Sequence, residues 1–264
     1  RVDRRQRQMC IRDSPYAQWH DWYEMLAERT YTKHAENPAG NIIGKRASME
    51  LKPDDIVNIG IGLPENVARY ARQSGMLDRI TLTVESGGVG GFPASGTVFG
   101  AMIGAASMND MANQFDLYDN GGLDICFMGA LEVDRFGNVN SHRGPGAFSG
   151  IGGFANITAK TPTVVFCLTF NTKGLDVTEN GDEVKINKNG SIAKFVNKID
   201  NISFSAKRAH VNNQNVLYVT ERCVFHLEDN GLKLIEVYPG IDMQKDILDL
   251  LDFDIEIDEK LLIK

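Results

Sequence analysis

A single carboxylate followed by a run of glycines is the part of this sequence best suited to chemistry. Glu85 closes an apolar run, Ile80 to Val84, and four of the next six residues are glycine. The apolar run is typical of a buried strand and the glycines of a tight turn. Because glycine has no Cβ, a ligand can approach closely and the amides can point at developing negative charge. The alternative is a glycine-rich turn with a solvated glutamate.

Two more glycine clusters stand at or near the ends of predicted strands. Gly60-Ile61-Gly62 comes just before Pro64, a residue that suits the first turn of a helix, and a second cluster covers 144–154. The first cluster lacks the third glycine and the acidic residue of a dinucleotide-binding motif, and no Gly-Lys-Ser/Thr sequence of a P-loop occurs. In an open α/β sheet, strand-end glycines gather at the carboxyl edge, where ligands bind. The three clusters with Glu85 favour a backbone-lined site for an anion or a carbonyl over turn geometry alone.

The hydrophobic periodicity predicts alternating helices and strands. A strand at 56–59, a helix from Pro64 to Gly75 and a strand at 80–84 form a βαβ unit. The other predicted elements are a helix at 42–51, strands at 123–128 and 163–168, two short strands joined by a turn within 132–140, short strands at 184–186, 216–220, 223–227 and 234–237, and a final amphipathic helix at 243–251. We therefore expect an α/β fold with an open, mixed and largely parallel sheet flanked by helices, and a β-rich C-terminal part.

Composition narrows the classes of partner. The 264 residues are 42% hydrophobic and 24% charged, with a net charge of −7, which argues against a nucleic-acid partner. The longest apolar stretch, Val164 to Leu168, is too short to cross a bilayer. Four cysteines lie far apart, without metal-ligand spacing, and three of them sit in apolar runs. We expect reduced thiols, no metal site, no membrane partner and a cytoplasmic protein.

The N-terminus differs in composition from the rest of the chain. Residues 1–14 hold five arginines and no start methionine, and we interpret them as a disordered tail or a cloning or assembly scar. Residues 15–40 form an irregular lead-in, with a short helix at 18–29, and residues 41–264 form one catalytic unit. The chain is expected to be a fragment of something longer or one half of a heteromer.

Six motifs in one order carry a resemblance to a known family. They are NIGIGLP at 58–64, TLTVESGGVGGFP at 81–93, QFDLYDNGGLD at 114–124, VDRFGNVN at 133–140, GIGGF at 150–154 and VTERCVF at 219–225. From about Ile43 to Phe253 the chain resembles the C-terminal, β-like half of the family I coenzyme A transferases, in the acetate or propionate branch. The resemblance implies the fold that these enzymes share with sugar-phosphate isomerases.

The resemblance also implies a reaction. Glu85 would attack an acyl-CoA thioester to form a mixed anhydride, and the released thiolate would then form a glutamyl-CoA thioester on the enzyme. Coenzyme A and a short-chain carboxylate would be substrates, with no permanently bound cofactor. The loop formed by Gly60, Ile61, Gly62, Leu63 and Pro64 would contact CoA.

Further site residues follow from the same resemblance. Asn140 would lie near the CoA arm, and Gly150, Gly152 and Gly153 would cradle CoA and the oxyanion. For Asn140 the alternative is a turn asparagine that bonds its own backbone. Pocket residues of the kind of Phe92, Ala94 and Val98 would bias the site toward small acids. His142 and Arg143 could meet CoA phosphates or lie in a solvated loop, Glu132 and Glu221 are interpreted as structural or supporting carboxylates, and His210 and His226 as structural.

Other functions stay open at this stage. The short-chain branch carries a related N-terminal half before this segment, so a homo-oligomer or pairing with an α-like half is expected. Without that half the chain could hydrolyse acyl-CoA or serve as a non-catalytic effector-sensing module. A regulator of that kind would carry a helix-turn-helix, and residues 1–55 show no such pattern.

Overall fold

The computed structural model describes residues 37–94, 100–144, 147–148 and 150–262, the pair 147–148 by its backbone alone. Within these ranges the helices are α1 (Pro38–Ser48), α2 (Glu65–Gln73), α3 (Met111–Asp119), α4 (Phe154–Lys160), α5 (Ala206–Val211), α6 (Met243–Asp246) and α7 (Glu259–Leu262). Two 3₁₀ turns cover Leu77–Arg79 and Leu248–Leu250. The predicted tail at 1–14, the predicted helix at 18–29 and most of the lead-in lie outside the described residues.

The strands are numbered in chain order. They are β1 (Ile56–Ile59), β2 (Thr81–Thr83), β3 (Gly88–Val89), β4 (Phe92–Pro93), β5 (Met102–Ile103), β6 (Ser107–Met108), β7 (Ile125–Gly129), β8 (Glu132–Asp134), β9 (Val139–Asn140), β10 (Arg143–Gly144), β11 (Ala147–Phe148), β12 (Thr163–Cys167), β13 (Asn171–Thr172), β14 (Asp176–Asn180), β15 (Glu183–Lys188), β16 (Ile192–Ala193), β17 (Phe195–Val196), β18 (Asn215–Val219), β19 (Cys223–Glu228), β20 (Gly231–Val237) and β21 (Glu256–Ile257).

One ten-stranded sheet organises the molecule. Its order is β21-β20-β19-β18-β12-β7-β1-β2-β3-β6, and the five central strands, β18 to β2, pair in parallel. Antiparallel strands extend it on both sides, β19 and β20 beyond β18 and β3 and β6 beyond β2. The expected open, mixed and largely parallel sheet is therefore confirmed. Its parallel strands bring their carboxyl ends to one edge, where the loops after β2, β1, β7 and β12 meet.

The sheet is buried on both faces. Neighbouring residues of β7 alternate between two hydrophobic clusters, Cys126 and Met128 in one and Ile125 and Phe127 in the other. Helices α1 and α2 cover the second face with Ile43, Ala47, Val67 and other apolar side chains, and α4 and α5 cover the first. Burial on both faces explains why the central strands appear in the sequence as continuous apolar runs rather than alternating ones.

Two helix predictions need correction. Helix α1 begins at Pro38, four residues before the predicted start, because the Asn37 side chain accepts a hydrogen bond from the Gly40 amide at 3.2 Å and proline suits the first turn. The predicted helix at 243–251 is interrupted: α6 ends at Asp246, and a 3₁₀ turn follows. Ile247 has φ −129° and is fully buried in the core, so its burial takes precedence over the helical pattern. Helices α3, α4, α5 and α7 were not predicted from the sequence.

Candidate active site

Glu85 lies in the turn that joins β2 to β3. The amide of Val84 donates to Gly88 O at 3.0 Å and the amide of Gly87 donates to Val84 O at 3.0 Å, so the turn is closed around Glu85. Gly87 has φ +104°, and a Cβ there would lie 2.0 Å from the carbonyl oxygen of Asn109. Only glycine can make this turn and also pack so closely against the Asn109 backbone.

The carboxylate of Glu85 is half-buried and contacts the start of α4. The backbone amide of Gly153 donates a hydrogen bond to it. Burial raises the pKa of Glu85 above the ordinary value of 4.5, and the hydrogen bond from Gly153 opposes part of that rise. A Cβ on Gly153 would lie 2.6 Å from Glu85 Cδ and 2.7 Å from Oε2. The carboxylate therefore lies against the backbone of Gly153 and is partly removed from water. It is not the fully solvated glutamate that the sequence left as an alternative.

A cleft of about 490 Å³ opens in front of Glu85. Its described lining comes from the loop after β1, the ends of β7 and β12 and the segment that leads into α4: Gly60, Ile61, Leu63, Glu85, Met128, Gly129, Ala130, Leu131, Ser141, Gly150, Ile151, Gly152, Gly153, Phe154 and Cys167. Among these lining residues Glu85 is the one charged side chain. Ile61, Leu131 and Ile151 keep 60%, 39% and 39% of their surface exposed, so the walls offer apolar area to a ligand.

Three residues of the predicted CoA-contacting loop at 60–64 line the cleft. Gly60, Ile61 and Leu63 line the cleft, whereas Gly62 and Pro64 are not among its lining residues. The amide of Gly60 donates to Phe127 O at 2.8 Å and the amide of Gly62 donates to Glu65 Oε1 at 2.7 Å. The amides of these two glycines are therefore used inside the protein. The contact of this loop with CoA stays a prediction.

Gly150, Gly152 and Gly153 all line the same cleft. Gly150 and Gly152 have φ +76° and +54°, and a Cβ on either would meet no atom of the described residues within 4 Å. The space around these two glycines is thus open toward the cleft, while Gly153 is pressed against Glu85. The structure brings together the segments around Glu85, Gly60 and Gly153 that the sequence had marked separately.

Asn140 is buried and its side-chain amide is saturated. Its Nδ2 donates to Glu132 Oε2 and to Arg143 O, both at 2.8 Å, and its Oδ1 accepts from the amides of His142 and Arg143. The neighbouring Ser141 lines the cleft, whereas Asn140 does not. These bonds match the turn role that the sequence left open, and a CoA contact stays a prediction.

The remaining residues named from the sequence lie in several places. Phe92 and Ala94 are buried and are not among the described cleft residues, and Val98 lies outside the described residues. Of the predicted phosphate contacts, Arg143 is exposed and His142 Nδ1 lies 2.7 Å from Ser203 Oγ. His226 bridges Glu228 and Asn215, and His210 Nδ1 lies 3.8 Å from Asp229.

Glu221 belongs to a buried ion pair at the end of β18. Its Oε1 accepts from Arg222 Nε at 2.7 Å and its Oε2 accepts from the Phe170 amide at 2.8 Å, and both ionic side chains are completely buried. Arg222 also lies over the Phe170 ring at 4.7 Å. This carboxylate is structural, as the sequence reading expected.

A polar network below Glu85 was not singled out from the sequence. The hydroxyl of Tyr118, on α3, accepts from Asn58 Nδ2 at 3.2 Å and from Gln114 Nε2 at 3.1 Å, and donates to Thr83 Oγ1 at 3.2 Å. Phe115, one turn earlier, has its ring tip 2.9 Å from a Cβ built on Gly153. Both residues occur in the motif at 114–124, and the four-residue spacing of Gln114 and Tyr118 is the signal that could have placed them on one helix face.

The described cysteines are buried free thiols. Cys126, Cys167 and Cys223 form no disulfide, and burial raises the pKa of each, to about 12 for Cys126. Cys167, which lines the cleft, is therefore a neutral thiol at physiological pH. In the described part of the chain no helix is both long and apolar enough to cross a membrane.

The fold and the site together define an α/β protein whose cleft, at the carboxyl edge of the sheet, is centred on one carboxylate. Residues 41–175 match the model of the coenzyme A transferase family. The chain is 30% identical over 212 residues to the acetate CoA-transferase subunit beta of Escherichia coli K12, covering 76% of this chain and 86% of that subunit. This chain belongs to the coenzyme A transferase family.

Longer proteins show higher identity. Over 217 residues the chain is 43% identical to the caffeate CoA-transferase of Acetobacterium woodii, covering 80% of this chain and 41% of that protein. The crystal structure of the acyl-CoA transferase YdiF of E. coli O157:H7, in a thioester complex with CoA, superposes with a TM-score of 0.80 at 37% identity, covering 84% of this chain and 42% of that one. The chain thus spans about two fifths of the length of these two proteins, and it aligns with a β-like half.

Proposed function

We propose that this chain is the catalytic half of a short-chain acyl-CoA:carboxylate CoA-transferase that works through a glutamyl-CoA thioester on Glu85. The observation that carries the proposal is the half-buried carboxylate of Glu85, which accepts a hydrogen bond from the Gly153 amide and lines a cleft of about 490 Å³. Membership of the family supports it, as does the likeness to a solved acyl-CoA transferase described as a thioester complex with CoA.

Each step of the proposed reaction exchanges one bond to an acyl carbon. A carboxylate oxygen of Glu85 attacks the thioester carbonyl, the C–S bond breaks, and CoA leaves as a thiolate with the electron pair. The thiolate then attacks the Glu85 carbonyl of the mixed anhydride and expels the donor acid as a carboxylate. An acceptor carboxylate reverses both steps and leaves as acyl-CoA, so the cycle needs no net proton transfer.

The surroundings of Glu85 suit this chemistry. A carboxylate in water is a weak nucleophile because its hydration must be removed, and burial removes part of that hydration in advance. The Gly153 amide stabilises negative charge at the carboxyl group, and the same donor could stabilise the oxyanion of a tetrahedral intermediate. Loss of one such donor costs roughly 3–4 kcal/mol in other acyl-transfer enzymes. The apolar walls would also limit the access of water to the thioester.

We also propose the class of substrate, the assembly and the cellular location. Relatives named for acetate and for caffeate show that the family accepts acids of different size, and we propose acetate or propionate here. We further propose that the chain assembles as a homo-oligomer or pairs with an α-like half, and that it works in the cytoplasm, where its buried thiols would stay reduced.

Mass spectrometry of Glu85 tests the function directly. The chain is incubated with acetyl-CoA or propionyl-CoA and treated with hydroxylamine or borohydride, and peptides containing Glu85 are analysed. We expect a hydroxamate or a reduced side chain at Glu85, none in Glu85→Gln, and parent levels in the control Glu132→Gln, which removes a carboxylate outside the cleft lining. CoA exchange at the parent rate by Glu85→Gln would contradict the proposal. Release of CoA without an acceptor acid would indicate hydrolysis instead.

A further inference from the structure

The turn that carries Glu85 is held from both sides by one hydrogen-bond network, which is buried except at the exposed Asn109. On the N-terminal side, Thr83 Oγ1 accepts from the Tyr118 hydroxyl and donates to Val57 O at 3.0 Å. On the C-terminal side, Gly87 O accepts from the Asn109 amide at 2.8 Å. Glu85 is midway between these two anchored residues, so its position depends on both.

Gln114 connects the two anchors. Its Nε2 donates to the Tyr118 hydroxyl at 3.1 Å, and its Oε1 accepts from Asn109 Nδ2 at 3.2 Å. Asn58 completes the network from β1, donating to Tyr118 at 3.2 Å and to Thr83 O at 3.3 Å. The four side chains at 58, 83, 114 and 118 are at most 3% exposed. Such a network is rigid because each member loses a buried partner when another moves.

The hydrogen-bond directions make Tyr118 the centre of this network. Asn58 and Gln114 both present amide N–H groups, which can only donate, so the phenolic oxygen accepts twice. Its single proton is then committed to Thr83 Oγ1, whose own proton goes to Val57 O. Burial raises the pKa of the Tyr118 hydroxyl, and the nearby charge of Glu85 adds to that rise, which keeps the proton in place. Tyr118 therefore acts on the turn through Thr83, two residues before Glu85.

We propose that Tyr118 is a positioning residue for Glu85: its hydroxyl holds the turn 83–87 so that the carboxylate stays against the Gly153 amide. Helix α3 contacts both the turn and Gly153. Tyr118 bonds Thr83 in the turn, and Phe115, whose ring centroid lies 5.8 Å from that of Tyr118 in an edge-on arrangement, approaches Gly153. The inference rests on the proposed function for its catalytic consequence, while the geometric claim concerns the protein without substrate.

The test compares two tyrosine variants. Tyr118→Phe removes the hydroxyl of the network. Tyr218→Phe, the matched control, removes another fully buried hydroxyl, which donates to Gly137 O at 2.5 Å and is not among the cleft residues. Both changes leave buried groups without a partner, so both should lower the melting temperature. Only Tyr118→Phe should slow hydroxamate formation at Glu85, by roughly 10²-fold, the effect of a misplacement near 1 Å.

A second measurement does not depend on turnover. The carboxyl group of Glu85 is titrated by ¹³C NMR and assigned with Glu85→Gln. In the parent and in Tyr218→Phe we expect the pKa to stand above 4.5, and in Tyr118→Phe we expect it to move toward that ordinary value because the carboxylate swings into water. Equal titrations in the two tyrosine variants would overturn the proposal, as would an ordinary pKa in the parent. If the parent forms no adduct but its titration responds as expected, the transferase function fails and the positioning role stands.

Thr83 provides the conservative rescue. Thr83→Ser keeps the oxygen that accepts from Tyr118, whereas Thr83→Val removes it with little change of shape. We expect Thr83→Ser to titrate like the parent at Glu85 and Thr83→Val to resemble Tyr118→Phe. In the double variant Tyr118→Phe/Thr83→Val, the pKa of Glu85 should shift no further than in either single variant, because each substitution removes the hydrogen bond between Tyr118 and Thr83. Additive shifts would refute a shared role.

Discussion

The contact between Gly153 and Glu85 allows a sharp test, because one added methyl group can displace the carboxylate. In Gly153→Ala the new Cβ would lie 2.6 Å from Glu85 Cδ and 2.9 Å from Phe115 Cζ. Gly153 has φ −78° and ψ 0°, which alanine adopts without strain, so the substitution acts through its methyl group rather than through the backbone.

The size of the displacement follows from the geometry. Ordinary contacts begin near 3.4 Å, so the carboxyl carbon must retreat by about 0.8 Å from its present 2.6 Å. A misplacement of roughly 1 Å at a reacting group costs on the order of 10²-fold in rate. That factor corresponds to about 2.7 kcal/mol of activation free energy. Because Phe115 Cζ would lie 2.9 Å from the same Cβ, the new methyl group is confined between Phe115 and Glu85, and we expect the carboxylate to lose its hydrogen bond with the Gly153 amide.

The assay is the rate of hydroxamate formation at Glu85 after acyl-CoA treatment, with urea unfolding to measure stability. The matched control is Gly144→Ala, in β10 near the same cleft, where the nearest atom of the described residues to a Cβ would be on Leu131, at 3.9 Å. We expect the control to react at nearly the parent rate and Gly153→Ala to react about 10²-fold more slowly. A Gly153→Ala protein that reacts at the parent rate would refute the claim that this contact positions Glu85.

Three further changes test the electrostatics and packing of the fold. Since burial raises the pKa of Glu85, the folded state binds its proton more tightly than the unfolded chain, and stability falls as pH rises from 4.5 through the raised value. Glu85→Gln should therefore be more stable than the parent at pH 7, by about 0.5–2 kcal/mol, and this gain should vanish below pH 4.5. Urea unfolding at pH 4 and pH 7 measures the difference in stability, and a difference that does not change with pH would contradict the prediction. Arg222→Met should cost about 3–5 kcal/mol because the buried Glu221 side chain loses its cationic partner, and adding Glu221→Gln should recover part of that loss in urea unfolding; no recovery would argue against the ion pair. Gly87→Ala should cost at least about 1–2 kcal/mol from its positive φ, and more from the clash with Asn109 O, so a parent-like melting temperature would be inconsistent with the turn described above.

The sequence predicted the position of a strand or helix best where the local residue pattern reflects how that element is buried. The strands at β1, β7 and β12 are apolar runs buried on both sides, so their position follows from hydrophobicity alone. Helix α3 gave no such signal. Its two buried residues, Gln114 and Tyr118, are polar, so hydrophobic periodicity could not reveal the face that they share. The helix predicted across 243–251 failed for the converse reason, since the buried Ile247 interrupts it.

The candidate site shows the same division. The type of residue and its place at a strand end marked Glu85 as a place for chemistry, its role as nucleophile came from the family resemblance, and the glycine clusters marked loops that a ligand could approach. The sequence could not predict whether the amides of Gly60 and Gly62 have hydrogen-bond partners within the protein. Their partners, Phe127 O and Glu65 Oε1, are brought into place by the fold.

Local chemistry therefore determined which side chain could react and which segments could bend around a ligand, since both depend on residue type and near neighbours. Only the tertiary structure decided that the Gly153 amide meets Glu85 and that Tyr118 lies beneath the turn. Those contacts join segments far apart in the chain, and they depend on the lateral order of β2, β1, β7 and β12 in the sheet. Periodicity within a segment carries no information about that order, because it reports how each strand is buried and not which strand lies beside it.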